Sequence, residues 1–122
     1  MAEKLYRYGE VYWVEFDEET VGTEIRGLRP GVVVSDNTYN EISKRVIVLP
    51  CSRTLDPLYS FELFLPQIVK GIDGKVMIDQ IQCIDKERIG KKIRDLTNEE
   101  MNKVVEKLRK ILPLLGVIKV KL

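Results

Sequence analysis

The 122-residue sequence contains no histidine. This absence excludes the Ser-His-Asp and Cys-His nucleophile arrangements, mechanisms that share acid and base roles between two histidines, and every metal site that depends on imidazole ligands. Any catalysis by this chain must therefore use other groups.

Long apolar runs are also missing. The first residues, MAEKLYRYGE, carry charges where a signal peptide needs an apolar segment, and no later run reaches membrane-spanning length. We therefore expect a cytoplasmic protein without a membrane partner. The length and the 44% hydrophobic content predict one domain over residues 1–122 with a single packed core.

Cysteine is scarce, with Cys51 and Cys83 alone in the sequence. Both lie in apolar, strand-like segments, where a free cysteine commonly behaves as a small buried hydrophobe. The prediction is two reduced core residues, and a disulfide or a reactive thiol is the alternative.

The net charge of +1 hides an uneven distribution. Asp17, Glu18 and Glu19 cluster near the front of the chain. Basic residues crowd a later stretch, at Lys86, Arg88, Lys91, Lys92 and Arg94. Such a stretch forms either a surface that binds phosphates or a solvated face.

Short segments rich in apolar, β-branched and aromatic residues predict strands. They are residues 9–16, 31–35, 45–49, 59–65, 75–78, 81–84 and 91–93. The polar segment 17–28 is predicted to be a mobile surface loop. The alternating tail VIKVKL predicts one more edge strand.

A single helix is predicted after Leu96. Thr97 and Glu100 form a capping box, in which each side chain accepts the backbone N–H of the other residue. An apolar stripe follows at helical spacing, formed by Met101, Val104, Val105, Leu108, Ile111 and Leu112. Many short strands followed by one helix predict a mainly β fold, a small antiparallel barrel closed by the C-terminal helix.

Two segments place polar side chains at the ends of predicted strands, where a rigid scaffold can position them for chemistry. The first is GTEIRGLRPGVVVS, residues 22–35, and the second is LPCSRT, residues 49–54. An Asp79-Gln80 pair follows later in the chain.

These elements match, in order and spacing, a known pattern: a Gly-(Ser/His)-Glu-Gln loop, Arg-Pro, a hydrophobic strand, Pro-x-(Thr/Ser)-(Ser/Thr), and Asp-Gln. The matching positions are Gly22, Glu24, Arg29, Pro30, Pro50, Ser52, Asp79 and Gln80. From residue 8 to about residue 115 the chain resembles the MazF/PemK (Kid) family of toxins from type II toxin–antitoxin systems.

The resemblance implies a small SH3-like barrel of the CcdB/MazF/Kid type, assembled as a homodimer. It also implies a growth-inhibiting endoribonuclease (mRNA interferase) that is neutralised by a cognate antitoxin protein. The expected activity is cleavage of single-stranded RNA at specific sequences without a metal or other cofactor. The expected products carry a 2′,3′-cyclic phosphate and a 5′-hydroxyl.

By the same resemblance, Arg29 is the primary catalytic residue, whose guanidinium holds phosphate oxygens. Ser52 stands where the family has threonine and keeps the hydroxyl that contacts the scissile phosphate. Glu24 either accepts the proton of the 2′-hydroxyl or orients Arg29, and both roles stay open. The expected RNA-binding residues are Thr23, Arg26, Arg53, Thr54, Asp79, Gln80 and Gln82.

Three positions depart from the family pattern. Ile25 replaces glutamine, Gln82 replaces arginine or lysine, and Met77 replaces an arginine found in some relatives. We interpret these changes as affecting RNA recognition and the charge of the groove, with an altered sequence preference as the result.

Structural roles are the alternative for each site residue. Arg29 could form a surface ion pair with Glu24, Ser52 could cap a strand end, and Asp79 and Met77 are expected to be structural. Two other functions also remain: a CcdB-like topoisomerase poison and a catalytically silent RNA-binding protein. The Arg-Pro and Pro-Cys-Ser elements favour the nuclease over the poison.

Overall fold

A computed structural model describes residues 4–113 of the chain. Its strands are β1 (Glu10–Phe16), β2 (Gly27–Val33), β3 (Arg45–Ser52), β4 (Glu62–Val69), β5 (Ile72–Met77), β6 (Gln82–Asp85) and β7 (Ile89–Asp95). The helices are α1 (Asn37–Ile42) and α2 (Asn98–Ile111), and short 3₁₀ turns lie at Ile78–Gln80 and Lys86–Arg88. All seven predicted strands are confirmed, with shifted ends. The strand predicted for VIKVKL lies outside the described residues.

The strands form a seven-stranded antiparallel sheet with the order β4-β5-β3-β2-β1-β7, and β6 pairs with β3. The sheet curls until its two end strands approach each other. There the guanidinium of Arg94 on β7 donates to the carbonyl oxygens of Pro66 and Gln67 on β4, at 3.3 and 3.2 Å. The predicted mainly β fold with a C-terminal helix is confirmed.

Apolar side chains pack into two clusters on opposite faces of the strands. Val32 belongs to the cluster that includes Met101 and Val104 of α2, whereas its neighbour Val33 belongs to the other cluster. Successive residues of a strand point to opposite faces, so a strand buried on both faces must be a continuous apolar run. The interpretation of the run after Pro30 as such a strand is confirmed.

The same alternation corrects one prediction about cysteine. Cys51 is a buried core residue, as expected, but Cys83 is exposed, and both are free thiols. On β6 the side chain of Ile84 points into the core, so that of its neighbour Cys83 points away from it. The apolar residues around Cys83 gave no sign of which face would be buried.

Helix α2 begins as predicted. The N–H of Glu100 donates to Oγ1 of Thr97 at 3.1 Å, and the N–H of Thr97 donates to Oε1 of Glu100 at 2.8 Å. Met101 and Val104 are buried, and Leu108 packs against the same cluster. The apolar stripe therefore fixes the helix on the sheet. No helix within residues 4–113 combines the length and apolar character needed to cross a bilayer.

Helix α1 was missed by the sequence analysis because six residues are too few to show a period. Its signal is a cap, since the N–H of Thr38 donates to the carboxylate of Asp36 at 2.9 Å. Asn40 is buried and donates to the carbonyl oxygens of Tyr6 and Ser35, at 3.0 and 3.1 Å. The helix thus connects the N-terminal segment to the end of β2.

A buried carboxylate anchors the start of β1. Oε1 of Glu10 accepts the N–H of Arg7 at 2.7 Å and the hydroxyl of Tyr12 at 2.8 Å, and Oε2 accepts Nζ of Lys92 at 2.9 Å. Burial by itself raises the pKa of Glu10, but the hydrogen bonds from Lys92, Tyr12 and Arg7 hold that pKa below its ordinary value.

This lowered pKa predicts a pH dependence of stability. A carboxyl whose pKa is lower in the folded than in the unfolded state stabilises the fold above its unfolded pKa, and this contribution is lost as the pH falls through the folded pKa. Wild type should therefore be more stable than Glu10→Gln at neutral pH. Below about pH 4.3, the ordinary pKa of glutamate, the difference should shrink.

Urea unfolding of both proteins across this pH range measures the difference in free energy of unfolding. A difference that stayed constant into strong acid would contradict the role assigned to the Glu10 carboxylate.

Candidate active site

The antiparallel pairing of β2 with β3 brings Arg29 and Ser52 to one cleft. It places Val32 opposite Leu49 and Gly31 opposite Pro50. Arg29 and Ser52 each lie two residues beyond the last of these pairs. Both side chains line one cleft of about 390 Å³, together with Arg53 and Thr54.

Arg29 presents one end of its guanidinium to this cleft. The side chain is half-buried, and its Nε donates to the carbonyl oxygen of Arg26 at 2.9 Å. Within residues 4–113 no carboxylate pairs with it, so the predicted alternative of an ion pair with Glu24 is not found. A guanidinium fixed through Nε keeps its two terminal nitrogens for a bidentate contact with phosphate oxygens.

Ser52 is 8% exposed and lies at the end of β3. Its Oγ accepts the N–H of Thr54 at 3.1 Å, which is the strand-end capping role considered for it. That role does not occupy the hydroxyl proton, because a hydroxyl accepts and donates at once. Ser52 can therefore cap the strand end and still donate to a ligand in the cleft.

The backbone around Ser52 is closely packed. A Cβ at Gly74 would lie 2.7 Å from Cγ2 of Ile68 and 3.0 Å from the carbonyl oxygen of Ser52. A glycine is therefore required there for the β4–β5 hairpin to approach the end of β3. The β4–β5 hairpin therefore packs directly against the backbone of Ser52.

Cys51 also lines the cleft, but its chemistry is limited. Burial raises the pKa of the Cys51 thiol to about 12, so the thiol remains protonated at neutral pH. The thiolate is the nucleophilic form of cysteine. The groups available for chemistry in this cleft are therefore a guanidinium and hydroxyls.

The sequence analysis missed the apolar lining of the cleft. Trp13 on β1 stands opposite Pro30 of β2, and Ile68, Val69 and Ile72 come from the β4–β5 hairpin. Trp13 was visible as a strand residue, but its place beside the Arg-Pro element depends on the β1–β2 register. No pattern in the sequence linked residues 68–72 to Arg29.

The remaining predicted site residues, except Arg26, line a second cleft of about 520 Å³. Thr23, Glu24, Asp79, Gln80 and Gln82 line it, together with the acidic side chains of Asp17 and Glu19. Glu24 is therefore not brought into the cleft of Arg29 and Ser52. Its Oε1 accepts the N–H of Val21 at 2.8 Å, which closes a turn within the loop.

Gln80 uses both ends of its amide to hold this loop. Its Oε1 accepts the N–H of Ile25 at 2.7 Å, and its Nε2 donates to the carbonyl oxygen of Thr23 at 3.2 Å. The C-terminal part of the predicted loop is thus tied to the 3₁₀ turn. Arg26, next along the chain, is exposed, and its Nη2 lies 3.5 Å from the carbonyl oxygen of Gly22.

Two of the three departures from the family pattern have a structural explanation. Ile25 and Met77 are 7% and 6% exposed and belong to the same apolar cluster as Phe16. Their side chains face the core, which confirms the structural role expected for Met77. The effect of these two replacements on RNA recognition stays a prediction. Gln82 lines the second cleft, as a direct effect on RNA recognition requires.

The basic stretch 86–94 is largely committed to contacts within the protein. Lys92 forms ion pairs with Glu10 and Asp95, and Arg94 forms an ion pair with Glu100. Arg88 donates to the carbonyl oxygen of Glu15 at 3.3 Å. These contacts favour a structural role for these three residues over the phosphate-binding surface considered from the sequence.

Known proteins are similar to this chain in sequence and in fold. A family model described as the PemK-like, MazF-like toxin of type II toxin–antitoxin systems matches residues 7–112. The endoribonuclease EndoA of Bacillus subtilis is 31% identical over 117 residues, which cover 86% of this chain and 92% of that protein.

Two solved structures illustrate the similarity of the fold. The crystal structure of MazF from Deinococcus radiodurans matches with a TM-score of 0.80 and 25% identity, over 92% of this chain and 100% of that one. A mycobacterial endoribonuclease, solved in complex with its cognate antitoxin, matches with a TM-score of 0.70 and 21% identity, over 92% and 97% of the two chains. The chain belongs to the PemK-like, MazF-like family of type II toxin–antitoxin toxins.

Proposed function

We propose that this protein is the toxin of a type II toxin–antitoxin pair, a sequence-specific endoribonuclease that cleaves single-stranded RNA in the cytoplasm. The observation that carries this proposal is the pairing of Arg29 and Ser52 in one cleft, where the terminal guanidinium nitrogens and the hydroxyl proton are available to a phosphate. Family membership and the name of the EndoA relative support the same activity.

The chemistry of the cleft suits transfer of a phosphodiester to the neighbouring 2′-hydroxyl. In this reaction the 2′-oxygen forms a bond to phosphorus, the bond from phosphorus to the 5′-oxygen breaks, and one proton moves from the attacking to the leaving oxygen. Negative charge grows on the non-bridging oxygens in the transition state. Arg29 stabilises that charge, and the hydroxyl of Ser52 donates to one of the same oxygens.

Glu24 remains the proposed group that accepts the 2′-hydroxyl proton or orients Arg29. In the structure its carboxylate closes a turn in the loop and lines the second cleft. Either role therefore requires the Glu24 side chain to turn from Val21 towards Arg29 when RNA binds. Binding of a flexible strand across both clefts would supply the contacts that favour such a shift.

The two clefts suit different parts of an RNA strand. Arg53 and Thr54 add a cation and a hydroxyl to the first cleft, which suit flanking phosphates. Arg26 is exposed, and in the sequence it lies between Glu24 of the second cleft and Arg29 of the first. The second cleft presents oxygen and amide groups from Thr23, Asp79 and Gln82, which suit the amino groups and edges of splayed bases. Gln80 supports the loop next to these groups.

The first prediction from this proposed function concerns Arg29 and Ser52. Arg29→Ala should reduce cleavage on the order of a hundredfold or more, because it removes a preorganised cation from the developing charge. Ser52→Ala should have a smaller effect. Cleavage of a fluorescent single-stranded RNA measures both rates, and Arg45→Ala, an exposed arginine at the other end of β3, provides the control.

Circular dichroism should show that all three variants fold. If Arg29→Ala folds and cleaves at the wild-type rate, the assignment of Arg29 as the catalytic cation is wrong. Equal rates for wild type and Ser52→Ala would remove Ser52 from the mechanism.

The second prediction is that cleavage needs no divalent ion. The sequence has no histidine, and the cleft offers a guanidinium and hydroxyls in place of carboxylate ligands. Cleavage should proceed at an undiminished rate in EDTA. The products should carry a 2′,3′-cyclic phosphate and a 5′-hydroxyl, as determined by mass spectrometry and by the need for kinase treatment before ligation. Full dependence on Mg²⁺ would contradict the proposed mechanism.

The third prediction concerns the partners. We propose a homodimer whose RNA-binding clefts are filled by an acidic, partly disordered segment of the cognate antitoxin. A surface that binds a flexible polyanion also suits a flexible acidic peptide, which becomes ordered on binding. The structure of a mycobacterial endoribonuclease with a similar fold contains its cognate antitoxin, which supports an antitoxin as the partner.

Light scattering should give twice the chain mass of 14.1 kDa. The antitoxin should also displace RNA from the Arg29→Ala variant in a competition experiment. A strictly monomeric protein, or simultaneous binding of RNA and antitoxin at undiminished affinity, would refute this model and leave the nuclease proposal intact.

A further inference from the structure

A buried ion pair closes the segment that follows Ser52. Residues 53–61 leave the end of β3 and return to the sheet at Glu62, the first residue of β4. Nζ of Lys75 lies 2.8 Å from Oε1 of Glu62, and both side chains are 7% exposed. This is the most buried of the ion pairs within residues 4–113.

The ion pair holds the segment through its backbone. Oε1 of Glu62 also accepts the N–H of Tyr59 at 3.0 Å, while the N–H of Glu62 donates to the carbonyl oxygen of Tyr59 at 2.9 Å. Nζ of Lys75 donates to the carbonyl oxygen of Pro57 at 2.7 Å. Two backbone positions within the segment are therefore fixed by one pair of charges.

The pair is also directly connected to Ser52. Lys75 of β5 is the cross-strand partner of Ser52 in the β3–β5 ladder. The segment thus begins beside Lys75 in the sheet and is held at Pro57, its middle residue, by the ammonium group of the same lysine. Arg53 and Thr54, which line the first cleft, lie between these two attachment points.

Stability alone does not explain such a pair. Removal of two charges from water is costly, and well-packed apolar residues of similar size are often as stable or more so. An ion pair adds geometric specificity, because its hydrogen bonds require particular partners at particular angles. Here those partners are backbone groups of Pro57 and Tyr59, in the segment 53–61 that also carries Arg53 and Thr54.

We propose that Glu62 and Lys75 are positioning residues for RNA cleavage, which hold residues 53–61 so that Ser52, Arg53 and Thr54 keep their places in the cleft. This inference rests on the proposed ribonuclease function. Neither residue lines the cleft, and both act through the backbone that they bind.

The chain contains a matched control. Glu10 begins β1 as Glu62 begins β4, and its Oε1 likewise accepts the N–H of the residue three positions earlier, Arg7. The N–H of Glu10 returns a bond to the carbonyl oxygen of Arg7, and Lys92 supplies the ammonium group. Glu10 does not line the first cleft. The two glutamates thus share one local geometry, but Glu62 binds the segment that carries Arg53 and Thr54, whereas Glu10 binds the backbone of Arg7.

The experiment compares Glu62→Gln and Lys75→Met with Glu10→Gln. Both test variants should lower kcat on the order of tenfold or more and change KM less, because small misplacement of groups in the site slows the chemical step. Glu10→Gln should lower the midpoint of thermal unfolding and leave kcat within about twofold of wild type. All rates are measured well below the unfolding midpoints.

Hydrogen–deuterium exchange gives a readout that does not depend on activity. Amides of residues 53–61 should exchange faster in Glu62→Gln and Lys75→Met than in wild type or Glu10→Gln. The double variant Glu62→Gln/Lys75→Met should be no slower in catalysis than the more affected single variant, because one unit is lost in each case. If Glu62→Gln does not fold, the test is made with Lys75→Met, because methionine keeps an unbranched side chain in place of the lysine chain.

An unchanged kcat in the folded test variants, or unchanged exchange in residues 53–61, would overturn the positioning role. In that case cleavage by the wild type would still support the proposed function. A kcat that fell equally in Glu10→Gln would also overturn it, because the effect would then follow stability. If wild type failed to cleave RNA, the proposed function would fail, and faster exchange confined to residues 53–61 would still establish that the pair holds the segment.

Discussion

The structure depends on strand β3, which changes partners along its length. It pairs with β2 and β6 over its first part and with β5 at Cys51 and Ser52. The ladder between β2 and β3 joins residues 31–33 to residues 48–50, so it stops short of both Arg29 and Ser52. These two residues lie beyond the end of the ladder and line one cleft. The site therefore lies at the point along β3 where pairing with β2 ends and pairing with β5 begins.

The two clefts differ in charge, and this difference organises the proposed function. The first carries Arg29 and Arg53, whereas carboxylates of Asp17, Glu19 and Asp79 line the second. A phosphate backbone is attracted to the first and repelled by the second. The exposed amino groups of bases suit carboxylate and amide oxygens. A single strand can satisfy both surfaces when its phosphates and bases turn in different directions.

Polar side chains hold the loops that surround these clefts. The buried pair Glu62 and Lys75 holds the segment after β3, and the half-buried amide of Gln80 holds the loop before β2. Each group binds backbone atoms of a segment that has few apolar anchors of its own. For the buried pair, the cost of burial is offset only when its partners are in place, so its contacts favour one arrangement of the segment. In both places the apolar core supports the polar contacts, with Ile25 buried beside Gln80.

The sequence by itself determined the seven strands, helix α2 and the family pattern of the site, and it missed the short helix α1. Alternation, apolar runs and the capping box at Thr97 act over a few residues, so they predict strands and the helix correctly from local chemistry. The tertiary structure decided which face each residue occupies and which residues meet. It exposed Cys83, buried Ile25, separated Glu24 from Arg29, and joined Lys75 to Glu62. These outcomes depend on strand register and on the curl of the sheet, which bring together residues far apart in the chain and leave no local periodicity in the sequence.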